Sequence, residues 1–321
     1  MQGFFLRFIK RIRLSAWQKT FLKTFFKVAI TLALLYWVFS KIDTGQVFDL
    51  YKKANLWLLF PALAFFFGSQ IVASSRLYHF FEVINLNISR TNNFRLYLLG
   101  MFYNLFLPGG IGGDGYKVFI LSKRYSIKHR KVFWALFNDR LSGLVAVGIL
   151  TVLLFILVPL QIKHKYLTLI LVVVAPIAYF IFNRLFFREY LAVWKKVLFK
   201  SLAIQSLQLI SATFILFSIG TTQNIQGYLM LFLLSSLVSI IPFTVGGIGA
   251  REMAFVIGAN LIGSKPEICV ALSLIFYFIS AIISLSGALY VIKPIDLINT
   301  SKTELAPEVE IKKAEVFSKK E

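Results

Sequence analysis

The feature that most constrains this chain is a series of continuous apolar runs, each close to the length that crosses a bilayer. A helix needs about 20 predominantly apolar residues to span the hydrocarbon. Runs at about 24–40, 56–75, 132–160, 166–183, 201–219 and 268–292 meet or approach that length. The apolar residues are consecutive rather than alternating, which argues against a transmembrane β-barrel. Composition agrees: 58% of the 321 residues are hydrophobic, 34 of them Phe, and only 15% are charged. A soluble domain carries about 25% charged residues. A soluble cytosolic enzyme and a disordered chain are both excluded.

The net charge is +21. In a soluble protein this would point to nucleic acid. Here the basic residues lie mostly between the apolar runs, so they report topology and anionic headgroups, and no nucleic-acid partner is expected. One cysteine, Cys269, excludes an intrachain disulfide. That thiol and three scattered histidines, His79, His129 and His164, do not form a zinc pattern. No phosphate-binding Walker loop or nucleophile elbow is present, and the Gly-x-Gly patterns follow no strand. No metal or cofactor is expected.

Residues 1–23 hold six cations and no acid, with Phe4, Phe5, Phe8, Ile9 and Ile12 at helical spacing. They fit an amphipathic helix on acidic lipid, or a frayed basic leader. No small-residue cleavage site marks a signal peptide. The tail, 293–321, is polar with mixed charge. Between them, 24–292 reads as one membrane domain.

Two segments break the spanning pattern. Residues 94–107 are apolar for about 21 Å of helix, then stop at Pro108-Gly109-Gly110-Ile111-Gly112-Gly113-Asp114. A second short piece follows, from Gly115 to Leu121. Likewise 227–241 breaks at Pro242 and Gly246-Gly247-Ile248-Gly249, then resumes over 251–262. Lys and Arg concentrate in the leader, around 76–95, in 117–131, in 184–200 and in the tail, while 161–165, 220–226 and 263–267 are lightly charged. The positive-inside rule then puts both termini in the cytoplasm. Both flanks of 94–121 fall on the cytoplasmic side, and both flanks of 227–262 on the opposite side. The expectation is an all-α integral membrane protein with six transmembrane helices and two re-entrant helical hairpins in an inverted repeat. The alternative is that glycine and proline merely kink two ordinary helices.

Non-helical backbone at membrane depth must face protein or a wet cavity. Helix starts near Gly115 and Arg251 would present positive dipole ends to a phosphate. Charges at such depth are costly and are functional or paired. Asp114, Asp139, Arg140, Arg251 and Glu252 stand out. Neighbours on a helix point about 100° apart, so neither the Asp139–Arg140 nor the Arg251–Glu252 doublet is an internal pair. Arg140 and Arg251 offer forks for a lipid phosphate, and the acids would balance them or receive a cationic headgroup. All five could equally form a salt-bridge network without ligand. Asn104 and Thr244 flank the breaks and suit capping of freed backbone. Arg76 and Glu82 read as residues snorkelling from a helix end. Trp17, Trp37, Trp57, Trp134 and Trp194 read as interfacial anchors.

Three motifs in order resemble the lysylphosphatidylglycerol synthase transmembrane, or flippase-like, family. They are Asn104-x-x-Leu107-Pro108-Gly109-Gly110-x-Gly112-Gly113-Asp114, Asp139-Arg140-x-Ser142-Gly143-Leu144, and Pro242-x-Thr244-x-Gly246-Gly247-x-Gly249-x-Arg251-Glu252. The resemblance covers about 25–292. Lys117 is a departure, standing where the family more often has Arg. The family includes the membrane half of the multiple peptide resistance factor, which moves aminoacylated phospholipid between leaflets. The resemblance therefore implies a bacterial inner-membrane protein that binds and translocates an anionic or aminoacylated phospholipid, or a lipid-linked substrate. It implies a substrate site built from the motif residues and Lys117. The alternative is a lipid-modifying transferase, lysyl or glycosyl, or its membrane subunit; a third is a non-transporting scaffold. Bifunctional members carry a large soluble transferase domain after the last span, where this chain has only 293–321, so catalysis by this chain alone is not expected. A separately encoded transferase or a homo-oligomer would fit as partner.

Overall fold

The computed structural model describes residues 32–106, 112–160, 162–238 and 249–293, with 29 and 295. Among the described residues every regular element is helical. Expectations for the leader, for the two Gly-Pro turns (107–111 and 239–248) and for the tail beyond 295 fall outside them.

The helices are α1 (Leu32–Lys41), α2 (Thr44–Lys52), α3 (Leu59–Val83), α4 (Arg90–Phe106), α5 (Gly112–Tyr125), α6 (His129–Leu157), α7 (Ile170–Phe186), α8 (Trp194–Ser218), α9 (Ile225–Val238), α10 (Ala250–Leu261), α11 (Pro266–Leu285) and α12 (Leu289–Ile292). Five stretches are long and apolar enough to cross a membrane: Leu56–Val83, His129–Leu157, Lys165–Phe186, Trp194–Ser218 and Pro266–Ile292. They match five of the six expected spans. Of the first, 24–40, only the part from Leu32 onward forms a described helix.

Local chemistry sets several ends. Asp43 starts α2 by accepting from the amides of Gly45 (2.9 Å) and Gln46 (3.2 Å), an N-cap. Pro159 forces Val158 into extended backbone (ψ 131°), which ends α6. Pro266 occupies the first turn of α11, where its missing N–H costs nothing. One expected end was misplaced. The second span does not stop near 75 but runs to Val83, because Leu77, Phe80 and Phe81 continue the buried stripe.

The two interrupted segments are antiparallel helix pairs. In the first, Tyr103 of α4 meets Tyr116 of α5 (ring centroids 4.6 Å apart), while Tyr97, nearer the start of α4, meets Lys117. In the second, Ser235 of α9 bonds Arg251, and Leu231, one turn earlier, packs at Gly258 of α10. Both hairpins pack on α6 and α11, which tie them into one bundle.

Burial separates into two apolar clusters along the bundle. One joins Phe66, Val147, Ile215, Phe232, Phe255 and Phe276. The other joins Leu77, Phe80, Leu121, Val132 and Val197. On the outside, Ile170, Val173, Val174, Ile177 and Ile181 make an exposed apolar stripe on α7, and Trp57 is exposed at the start of the second span. Such a surface is a liability in water and natural against lipid tails.

Candidate functional site

Around the ends of the second cluster lies a set of buried polar groups. Arg76 of α3 is only 7% exposed. Its Nε and Nη2 donate to the two carboxylate oxygens of Asp139 on α6 (2.8 and 3.0 Å), and its Nη1 donates to Ser201 Oγ of α8 (2.8 Å). Ser201 Oγ also lies 3.2 Å from Ser142 Oγ on α6. Three helices thus meet at one guanidinium, α3 and α6 through the bidentate pair and α8 through Ser201. The snorkelling expected of Arg76 is corrected: its helix continues past it, so its guanidinium turns inward to a carboxylate. Glu82 does lie nearer the surface, paired with His79 Nδ1 at 2.7 Å. Gly143 completes the arrangement, since a Cβ there would come within 3.1 Å of Arg76 Nη1.

Asp139 and Arg140 point apart, as the helix geometry requires. Arg140 reaches the first hairpin, where its Nε and Nη2 both lie 2.5 Å from Asp114 Oδ2. The other oxygen, Oδ1, faces Lys117 Nζ at 3.3 Å. Lys117 is buried, with its ammonium 4.8 Å from the Tyr97 ring centroid. Gly100 leaves room for the lysine stem; a Cβ at Gly100 would collide with it. The hairpin is also closed tightly: a Cβ on Gly113 would overlap the Gly100 carbonyl. Asn104 Oδ1 accepts from the Gly113 amide (2.8 Å), so it caps the start of α5 as expected.

These groups line a half-open cavity of about 220 Å³, formed by Arg76, Tyr97, Met101, Asn104, Asp114, Lys117, Leu136, Asp139 and Arg140. The cavity wall holds three cations and two carboxylates, a formal charge of +1 if all are ionised. The Arg140 side chain is 48% exposed, whereas that of Lys117 is 5% exposed. Lys117 is therefore held against protein, while Arg140 faces open space.

The second hairpin is built differently. Gly249 adopts φ 85°, a conformation that L side chains rarely take. Its amide donates to Glu252 Oε2 (2.7 Å), and Glu252 Oε1 accepts from Ser273 Oγ (2.7 Å). Arg251 Nε donates to Ser235 Oγ (3.2 Å), and its guanidinium lies 4.8, 5.8 and 5.3 Å from the ring centroids of Phe232, Phe255 and Phe276. Its buried Nη2 has no hydrogen-bond partner among the described residues. Aromatic faces stabilise a guanidinium that lacks a carboxylate.

Of the expected site residues, Asn104, Asp114, Lys117, Asp139 and Arg140 line one cavity, and Gly112 and Gly113 open the helix that carries Asp114. Gly249, Arg251 and Glu252 form a separate cluster; α9 and α10 contribute no lining residue to that cavity. Gly109, Gly110, Thr244, Gly246 and Gly247 lie outside the described residues. A phosphate at the Gly113 or Gly249 amide would have to displace an oxygen of Asn104 or Glu252. Sequence reasoning missed Arg76, Tyr97, Ser142 and Ser201 as parts of this network. The signal was present in α3, where Ser69, Gln70, Ser74 and Arg76 interrupt an otherwise apolar span. Among the described residues no cluster of metal-ligating side chains occurs.

Two comparisons with known proteins bear on this chain. A profile for the lysylphosphatidylglycerol synthase TM region matches residues 24–287. A protein of Staphylococcus haemolyticus (strain JCSC1435), called phosphatidylglycerol lysyltransferase, is 28% identical over 273 residues. The matched part is 79% of this chain and 32% of that relative, so this chain corresponds to about a third of its length.

Proposed function

Because the chain belongs to the lysylphosphatidylglycerol synthase transmembrane family, we propose that it is a flippase-like multi-pass membrane protein. It admits a phospholipid headgroup, or a lipid-linked one, to the cavity at Arg140 and lets it pass between leaflets, with the acyl tails kept in the bilayer. The observation that carries this reading is the space beside the charges. A purely structural salt bridge needs no cavity, yet a half-open one of about 220 Å³ adjoins Asp114, Lys117 and Arg140 in an otherwise apolar bundle. Arg140 offers a planar fork to a phosphate. Asp114 holds that fork until a headgroup competes for it, and can then receive a cationic substituent. On this reading the two hairpins are re-entrant from opposite sides, 24–292 is the translocating domain flanked by a basic leader and a polar tail, and both termini are cytoplasmic at a bacterial inner membrane. Asn104 and the glycines of both turns shape the passage, and Arg251 and Glu252 hold the second hairpin.

A second reading takes the chain as the membrane part of a lipid-modifying transferase. The name of the staphylococcal relative favours it, together with the one-third coverage of that protein. The two readings separate in vesicles. Reconstituted protein should speed the loss of outer-leaflet-quenchable signal from headgroup-labelled phospholipid, and Arg140→Gln should slow it about tenfold, the order expected for one charge-assisted contact. Unchanged scrambling against empty vesicles would refute transport. Aminoacyl-lipid formed from charged tRNA and phosphatidylglycerol would favour the transferase.

A further inference from the structure

The first hairpin has two working faces. Tyr97, Met101 and Asn104 on α4 line the charged cavity with Asp114 and Lys117 on α5. One helical step round, Leu96, Leu99 and Tyr103 face the other way, beside Tyr116, Ile120 and Arg124 of α5. This second face forms a half-open groove of about 200 Å³, closed on its far wall by Tyr290, Val291 and Ile295 of the last helix and its extension. Apolar cavities of roughly 150 Å³ already accept a benzene-sized guest.

The groove is graded along its length. Arg124 stands exposed at one end, with no carboxylate at ion-pair distance among the described residues. It lies in the basic stretch that includes Lys123, Lys128, Arg130 and Lys131. Eight residues back along α5, about 12 Å, the floor is the Tyr103–Tyr116 pair near the hairpin tip. Between them the walls are Leu96, Leu99, Ile120 and Val291. A cation at the mouth, apolar walls below it and tyrosines at the floor match one molecule type: a lipid with an anionic phosphate and a chain descending from it.

We propose that this groove binds one anionic phospholipid, its phosphate at Arg124 and its upper acyl chain between α4, α5 and the last helix, separate from the cavity at Arg140. The site requires only that the chain lies in a bilayer, not that it transports lipid. A lipid seated there would brace the first hairpin against the last span (Pro266–Ile292), which already crosses α4 so closely at Gly287 that a Cβ there would meet the Leu98 carbonyl.

Native mass spectrometry of the purified full chain, titrated with phosphatidylglycerol or phosphatidylcholine, reads the site directly. The wild type should hold one phosphatidylglycerol that phosphatidylcholine and millimolar inorganic phosphate do not displace. Arg124→Gln should weaken it about tenfold; Arg124→Lys should keep it. Ile120→Trp, which fills the groove, should remove it, and thermal unfolding of each variant checks that the fold persists. Arg140→Gln should leave this lipid in place, so failure of the transport reading would not mimic failure here. Arg124→Gln binding like wild type would overturn the proposal. So would displacement by inorganic phosphate, which would mark a free-anion site, or Arg124-dependent binding seen only after removal of 300–321, which would give the groove to the tail.

Discussion

The Arg76–Asp139 pair allows the sharpest test of how this bundle is held. Its two contacts are 2.8 and 3.0 Å, and the side chains are 8% and 11% exposed. Solvent screening is therefore slight, and removing one partner leaves a buried charge uncompensated. Arg76→Met and Asp139→Leu should each destabilise the protein by about 3–5 kcal/mol. The double variant removes both charges and keeps apolar volume, so it should lose less than the sum of the singles by about 2–3 kcal/mol. Ser201 is not orphaned in any of these, because its one hydroxyl hydrogen has Val197 O as an acceptor at 2.8 Å. The chain supplies its own probe: the one cysteine, Cys269, is fully buried. The rate at which a thiol-reactive fluorophore labels it in detergent, with increasing denaturant, reports unfolding for all four proteins. Strictly additive losses would show that the two charges are not coupled and would refute the view that this pair joins α3 to α6.

Gly113→Ala should disrupt the first hairpin, because the new methyl would overlap the Gly100 carbonyl, a backbone atom that cannot rotate away; a loss of about 1–3 kcal/mol is expected by the same labelling assay. Arg251→Lys should lower stability by about 1–2 kcal/mol, through lost stacking on Phe232 and Phe276. Arg140→Lys, on a half-exposed side chain, should leave stability nearly unchanged while slowing lipid movement; the reverse pattern for the two variants would exchange their roles. Single cysteines placed in 122–131 and in 263–267, in a Cys269→Ser background, should label from opposite sides of sealed membranes; labelling from one side would end the inverted-repeat reading.

The spans were legible because bilayer insertion leaves a one-dimensional signal, length of apolar run, that no tertiary contact can hide. Five of the expected runs recur as helices of spanning length. Gly and Pro also mark where α4 gives way to α5 and α9 to α10, while the turns themselves lie outside the described residues. Pairing was not legible. Charges at the depth of Asp139 and Arg140 need partners, but Arg76 lies 63 residues from Asp139 and Asp114 lies 26 from Arg140. Only helix packing decides which cation meets which acid. The misplaced end of α3 had the same origin. Hydropathy falls at Ser74-Ser75-Arg76, and a window cannot tell a helix leaving the membrane from one turning a polar face to its neighbours.

The sequence echo between the hairpins illustrates what symmetry does and does not carry. Aligning Gly109–Asp114 with Gly246–Arg251 sets an acid against a base. The structure gives them opposite surroundings. Asp114 is shared by two cations beside open space, while Arg251 is enclosed by three Phe rings, with Ser235 as hydrogen-bond acceptor. The helix starts differ too: Asn104 caps Gly113 from the preceding helix, whereas Glu252 caps Gly249 from within its own first turn. What the echo preserves among the described residues is the start of each second helix, where a glycine amide donates to one capping oxygen. The charged side chains are then free to diverge, and on the proposed reading they have divided the labour. Polar chemistry with room for a headgroup gathers at the first hairpin. The second is a packed wall, tied through Ser273 to the same helix, α11, that supports the first. A headgroup admitted beside Arg140 would therefore meet its specificity on one hairpin and its mechanical support on the other.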